Sequence, residues 1–260
     1  MFSTTEETRR FDSGTRCLSS WLVGLALLPA LCGATETNWL DVESRIQYGY
    51  YTEDPRSLTS VMELLAPSDS ENATRSYYAG LANYRLMQLT LTKDKSRAKE
   101  TAEACVHSLD QALKIQKDFA EALALQSVCL DVLATLEAWR TPFAASRSGA
   151  QIEKARHLAP KNPRVLLLDA VELYERPKSS AEERDRALSG FKNAAAAFEA
   201  ERQETEHAPG WGAAEAYIYL GRCYLDRGAA LEARDALERA LLIAPEFAEA
   251  RRLIKRITSG

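Results

Sequence analysis

The sequence is poor in the residues that most often carry chemistry. It holds 3 histidines, 12 glycines and 9 prolines in 260 residues. His107, His157 and His207 sit among unremarkable neighbours. There is no HExxH, GxSxG or CxxC and no glycine-rich phosphate loop, so the common metal-hydrolase, nucleophile-elbow, dithiol and nucleotide-cradling chemistries have no foothold. No residue set asks for a cofactor or a metal, and the chain reads as a non-enzyme. Positive charge is not in excess either: 33 basic against 37 acidic residues leave a formal net charge of −4, which argues against nucleic acid as a partner. The longest apolar run, Leu18 to Leu31, falls short of the roughly 20 residues that a membrane-spanning helix needs.

What remains is helix-forming. Ala, Leu, Glu, Arg and Lys dominate, and 46% of the residues are hydrophobic, enough for a core. The N-terminus stands apart. Arg9, Arg10 and Arg16 precede the apolar run, and Cys32-Gly33-Ala34 follows it. A basic flank, a short apolar stretch and small residues form the signature of a secretory signal peptide. Residues 1–34 are therefore expected to be removed after Ala34, giving an exported chain, periplasmic or secreted if bacterial, with no stable membrane span. Leu31 is too large for the small residue that precedes a lipidated cysteine, which argues against an anchor on Cys32. Cys105, Cys129 and Cys223 would remain. They read as small core residues, and whether Cys105 and Cys129 pair is left open.

Ala214 to Pro245 organises the rest. Tyr217, Leu220, Gly221 and Tyr224 follow a W-x2-L-G-x2-Y spacing with Tyr in the Trp place, and Ala233, Leu237, Ala240 and Pro245 complete it. The stretch resembles one tetratricopeptide repeat, a helix–turn–helix unit of about 34 residues. Gly221 and Ala233 are then small because two antiparallel helices cross closely there. Upstream, Cys105, Leu109 and Ala112 take the places of Ala233, Leu237 and Ala240, and further matches fall at Ala155 and Ala194. The matched alanines at 112, 155, 194 and 240 are 43, 39 and 46 residues apart, so the array is irregular. Asp118-Phe119-Ala120-Glu121-Ala122 and Glu246-Phe247-Ala248-Glu249-Ala250 are near-copies at two junctions. Asn72-Ala73-Thr74 fits a glycosylation acceptor but reads as a helix start.

The resemblance implies an all-α fold, a right-handed solenoid of about four to five antiparallel helix hairpins. They are placed at about 39–67, 72–118, 119–160, 163–205 and 213–245, with a capping helix at 246–258. It also implies a binding scaffold whose concave face is lined by the first helix of each hairpin. Register with the last repeat puts Arg164, Leu167, Val171, Tyr174, Ile218, Arg222 and Leu225 there, an apolar strip bordered by charge. Two states of this strip stay open: a groove for a peptide or partner protein, or internal packing of a closed superhelix. The alternative function is a ligand-handling accessory subunit of a transport system, with an apolar channel inside the repeats.

Overall fold

A computed structural model describes residues 37–66, 72–137, 141–176, 178–204 and 211–259. The signal-peptide reading, Pro67 and His207 to Gly210 lie outside the described residues. Asn38 to Gly260 form one compact unit. Among the described residues the secondary structure is helical throughout, in five hairpins and a last helix: α1 (Trp39–Tyr51) with α2 (Pro55–Leu64), α3 (Ala73–Thr90) with α4 (Lys95–Ile115), α5 (Ala120–Leu136) with α6 (Thr141–Leu158), α7 (Pro163–Glu175) with α8 (Ala181–Glu204), α9 (Ala213–Asp226) with α10 (Ala230–Ile243), then α11 (Ala248–Ser259). This is a solenoid of tetratricopeptide-like hairpins. Its irregularity lies in helix length: α8 has 24 residues where α10 has 14.

Local chemistry explains where the helices begin. Asn38, Asp54, Asn72, Asp94 and Asn162 each accept a hydrogen bond from a first-turn amide through the side chain, and Pro55 and Pro163 hold the first helical turn. Asn72 is thus a helix cap. At α8, Ser180 and Glu183 accept reciprocally from each other's backbone N–H, at 3.1 and 2.8 Å. Gly228 turns α9 into α10 with a φ of +72°, a left-handed conformation that a side chain would disfavour.

Packing within the hairpins repeats one device. A Cβ on Gly221 would lie 2.7 Å from Leu237 Cγ, and a Cβ on Gly80 would lie 2.7 Å from Leu109 Cγ. Glycine on the first helix therefore receives leucine from the second in both hairpins. The near-copied junctions also act alike. The Phe119 ring packs 4.8 Å from Tyr77 and the Phe247 ring 4.4 Å from Tyr51. Two residues on, Glu121 faces Arg164 at 3.5 Å and Glu249 accepts from Arg222 Nε at 2.7 Å. Cys105 of α4 and Cys129 of α5 are disulfide-bonded with their Cα atoms 6.4 Å apart, which ties the second hairpin to the third. Cys223 is a buried free thiol whose pKa burial pushes up to about 12.

The array closes on itself. Tyr50 and Tyr51 of α1 pack on Phe247 at the start of α11, and Arg252 of α11 pairs with Glu53 at 2.5 Å. On α11, Ala250 and Leu253 are buried while Arg251, Arg252, Lys255 and Arg256 face solvent, which makes the end of a solenoid soluble.

Candidate functional site

In α5 every residue from Ala122 to Leu130 is buried, and in α9 every residue from Ala214 to Gly221. Eight or nine consecutive buried positions wrap a helix on all sides, whereas a helix lining an open groove keeps an exposed stripe. The expected concave face is therefore covered. Arg164, Leu167, Val171 and Ile218 are 0, 2, 4 and 2% exposed. Of the two states left open by the sequence, the structure has internal packing at these four positions, and the reading of them as a partner-facing groove is corrected accordingly. Arg164 is covered by Glu121, Phe198, Glu201 and Trp211, and α1 reaches across to α9 and to Phe247 before α11.

The filling is polar as well as aromatic. Trp211 is fully buried at its centre. Its indole Nε1–H donates to the Tyr77 hydroxyl at 2.9 Å, and its backbone N–H donates to Glu43 at 3.0 Å. Two guanidinium groups lie over the indole, Arg85 at 5.3 Å and Arg164 at 5.8 Å from the ring centroid. Arg85 is ion-paired with Glu215, and both side chains are almost wholly buried. It also sits 4.2 Å over the Tyr50 ring and donates to Gln88 at 3.0 Å. Glu215 in turn accepts from Gln47 at 3.1 Å, from the Tyr51 hydroxyl at 3.0 Å and from the Gly212 N–H at 3.0 Å. Arg164 makes two parallel bonds to Glu201, at 2.9 and 3.1 Å. A bidentate pair of this kind fixes orientation as well as charge.

Electrostatics follow from burial and pairing. Burial works to lower the Arg85 pKa, but Glu215 and the surrounding tyrosines more than offset it, so the guanidinium stays charged. Burial drives Tyr51 and Tyr77 well above the usual phenol range, and they act as neutral donors and acceptors. The core of the array is thus a network of paired charge and hydrogen bonds that positions helices.

The remaining predicted residues stand at its edge. Tyr174, Arg222 and Leu225 are half-buried. Tyr174 donates to Asp226 at 2.8 Å, and its ring meets Tyr219 edge-on at 5.7 Å. Arg222 lies 4.9 Å over the same Tyr219 ring and bridges Glu249 to Glu175, the latter at 3.4 Å. This rim joins α7, α9 and α11 and presents an aromatic, a leucine and mixed charge. Elsewhere, a shallow cleft of about 850 Å³ lies between the outer sides of α1 and α2 and Glu246, with Tyr48 and Leu64 in its lining.

Sequence reasoning missed Trp211, Arg85 and Tyr77. Arg85 had a signal, a lone cation inside the otherwise uncharged run from Tyr77 to Met87. Trp211 had none, since it precedes α9 and belongs to no repeat position.

No family model matches this sequence, and no curated protein sequence matches it. Solved structures do resemble it. The HusA haemophore from Porphyromonas gingivalis aligns with a TM-score of 0.56 at 18% identity, over 75% of this chain and 96% of that one. TTC0263, a thermophilic TPR protein in Thermus thermophilus, aligns with a TM-score of 0.51 at 16% identity, over 85% of this chain and 97% of that one. At such identities the likeness is one of fold: stacked tetratricopeptide-like hairpins. Among the described residues, no helix is long and apolar enough to cross a membrane.

Proposed function

We propose that this chain is an exported interaction scaffold that docks a partner protein or peptide at the rim formed by Tyr174, Arg222 and Leu225. One observation carries the reading. The repeat interior is occupied by the chain's own side chains, and of the predicted strip only these three residues stay accessible, contiguous across α7 and α9. A half-exposed tyrosine and arginine beside a leucine have the composition of an interface hot spot. The signal-like N-terminus supports export, and so does the buried Cys105–Cys129 disulfide, a bond that persists in oxidising compartments.

The test is photo-crosslinking from a probe at Leu225 in the exported fraction, followed by titration of the captured protein. Arg222→Ala should weaken binding at least tenfold, about 1.4 kcal/mol, with the melting curve of the chain intact. Binding that survives both Arg222→Ala and Leu225→Asp in folded protein would remove the rim from consideration.

A second reading is ligand handling. What supports it is the likeness in fold to a protein described as a haemophore. It needs the α1–α2 hairpin to swing away from Trp211, because the interior is filled when that hairpin is seated. Haemin added to the full chain should then give a saturable change in its absorbance, and a linear response would dismiss this reading.

A further inference from the structure

The bond between Cys105 and Cys129 lies where no reagent reaches it, since both residues are 0% exposed. Leu109, one turn after Cys105 on α4, packs against Gly80 of α3. Gln126 of α5, itself fully buried, locks the α4–α5 seam. Its amide donates to Asp110 at 2.9 Å and to the Val106 carbonyl at 3.3 Å. Its carbonyl accepts from Gln151 of α6 at 2.6 Å, and Asp110 also pairs with Arg147 of α6. Thiol–disulfide exchange requires a third sulfur to approach one of the two bonded sulfurs. The docked hairpins leave no room for that approach.

A third cysteine, Cys223, could compete for either partner in an unfolded chain. The chance that two residues of such a chain meet falls as about the 3/2 power of their separation. Cys105 and Cys129 are 24 apart, whereas Cys223 lies 94 beyond Cys129 and 118 beyond Cys105. The native pair is therefore favoured about eightfold and about elevenfold over the two wrong pairs. Delivery of the chain N-terminus first, as in the export proposed above, adds to this, because Cys129 is available before Cys223 follows. Folding then withdraws the competitor. Cys223 is buried and its thiol is pushed up to about 12, so little thiolate remains to attack the finished bond.

We propose that a thiol–disulfide oxidant acts on this chain before its second and third hairpins dock, so that the unfolded chain, and not the folded one, is the substrate. The Cys105 thiolate attacks one sulfur of the oxidant's disulfide, forming a mixed disulfide and expelling the oxidant's other sulfur as a thiolate. The Cys129 thiolate then attacks the Cys105 sulfur, closes the bond and releases the second oxidant thiolate. Two electrons pass to the oxidant, and the two protons given up by the cysteines end on its two thiols. Docking of α4 on α5 afterwards encloses the product and protects it from reduction.

The test uses the full chain with Cys17→Ser and Cys32→Ser, which leaves only the three cysteines of the helical array, and oxidised glutathione as the oxidant. Reduced, held in urea and then oxidised, the chain should form Cys105–Cys129 about eightfold more often than Cys129–Cys223, read by mass mapping of the linked peptides. Once folded with the bond closed, it should be reduced by dithiothreitol at least about a hundredfold more slowly in native buffer than in urea, because reaching core sulfurs takes an opening that costs up to the global stability. Moved reduced from urea into native buffer before oxidant is added, the chain should either stay unfolded by circular dichroism or fold and then resist oxidation. Native reduction within about tenfold of the urea rate would overturn the proposal, since the docked seam would then be open to reagents. Prompt oxidation of a chain already folded would overturn it as well. Equal capture of Cys129 by Cys105 and Cys223 would overturn the selection of the pair by separation along the chain.

Discussion

Glu215→Gln removes one negative charge from the centre of the array while keeping nearly the same shape. In the native chain the Glu215 carboxylate neutralises Arg85, accepts from Gln47 and Tyr51 of α1, and accepts from the Gly212 N–H that opens α9. Both members of the ion pair are almost fully withdrawn from water, at 2 and 3% side-chain exposure. Breaking such a pair on one side leaves a buried charge uncompensated, a cost of about 3–5 kcal/mol. That is a large fraction of the roughly 5–15 kcal/mol that typical domains possess. For a unit of this size it should lower the melting temperature by roughly 10 °C, at about 2–4 °C per kcal/mol. Circular dichroism melts measure it, and hydrogen exchange should localise the loss to α1 and α9. The control is the double variant Arg85→Met/Glu215→Gln, which removes the stranded charge and should recover a large part of the loss, because replacing a buried pair by an apolar group is often neutral. A midpoint within about 2 °C of the native value for Glu215→Gln, below about 1 kcal/mol on the same scale, would refute the account of the interior as a closed, charge-compensated network.

Two further outcomes follow from the packing and from burial. Gly221→Leu and Ala233→Leu each overfill the α9–α10 crossing, where a Cβ on Gly221 would already sit 2.7 Å from Leu237, and each should cost about 1–3 kcal/mol by thermal melt. Burial raises the Glu172 carboxyl to about 7, with Asp131 adding to the shift. A carboxyl whose folded pKa exceeds its unfolded one has no penalty below the unfolded value and a full one above the folded value. Stability should therefore fall as pH rises from about 4.5 to above 7, by a few kcal/mol at about 1.36 kcal/mol per unit. Glu172→Gln should abolish that part of the slope, and an unchanged slope would show that Glu172 titrates normally.

The sequence carried the fold because the repeat writes its packing into small residues. Gly221 and Ala233 announce a close crossing, and Gly80 with Leu109 repeats it in a hairpin that otherwise departs from the pattern. Helix ends were equally legible, since Asn38, Asp54, Asn72, Asp94 and Asn162 are caps by chemistry before they are caps by position. The site was legible only in outline. Register alone assigns Leu167, Val171 and Ile218 to the inner side, and all three are buried. Register is silent on what lies across from them, because that depends on how tightly successive hairpins curve. Here the curvature brings α1 onto α9 and α11, contacts between residues as far apart in sequence as Gln47 and Glu215, 168 positions. The disulfide was undecided for a related reason: adjacency of α4 and α5 could be read, but the facing of Cys105 and Cys129 could not.

Why the closure uses charge at all is answered by what an apolar closure would allow. A ring of leucines between α1 and α9 would tolerate sliding by a helical turn, since one apolar contact substitutes for another. Glu215 cannot slide. It must meet Arg85, Gln47, Tyr51 and the Gly212 N–H together, and any shift strands at least one buried polar group. Trp211 is held in the same way, by Tyr77 on one atom and Glu43 on another. The network therefore fixes how the first and second hairpins meet the last, pairings that no sequential stacking contact determines. Fixing it also fixes the rim. Tyr219 and Arg222 lie one and two helical turns beyond Glu215 on α9, and their placement against Tyr174 of α7 and Glu249 of α11 depends on α9 being seated correctly. Positional precision at the surface is thus inherited from satisfied charge in the interior.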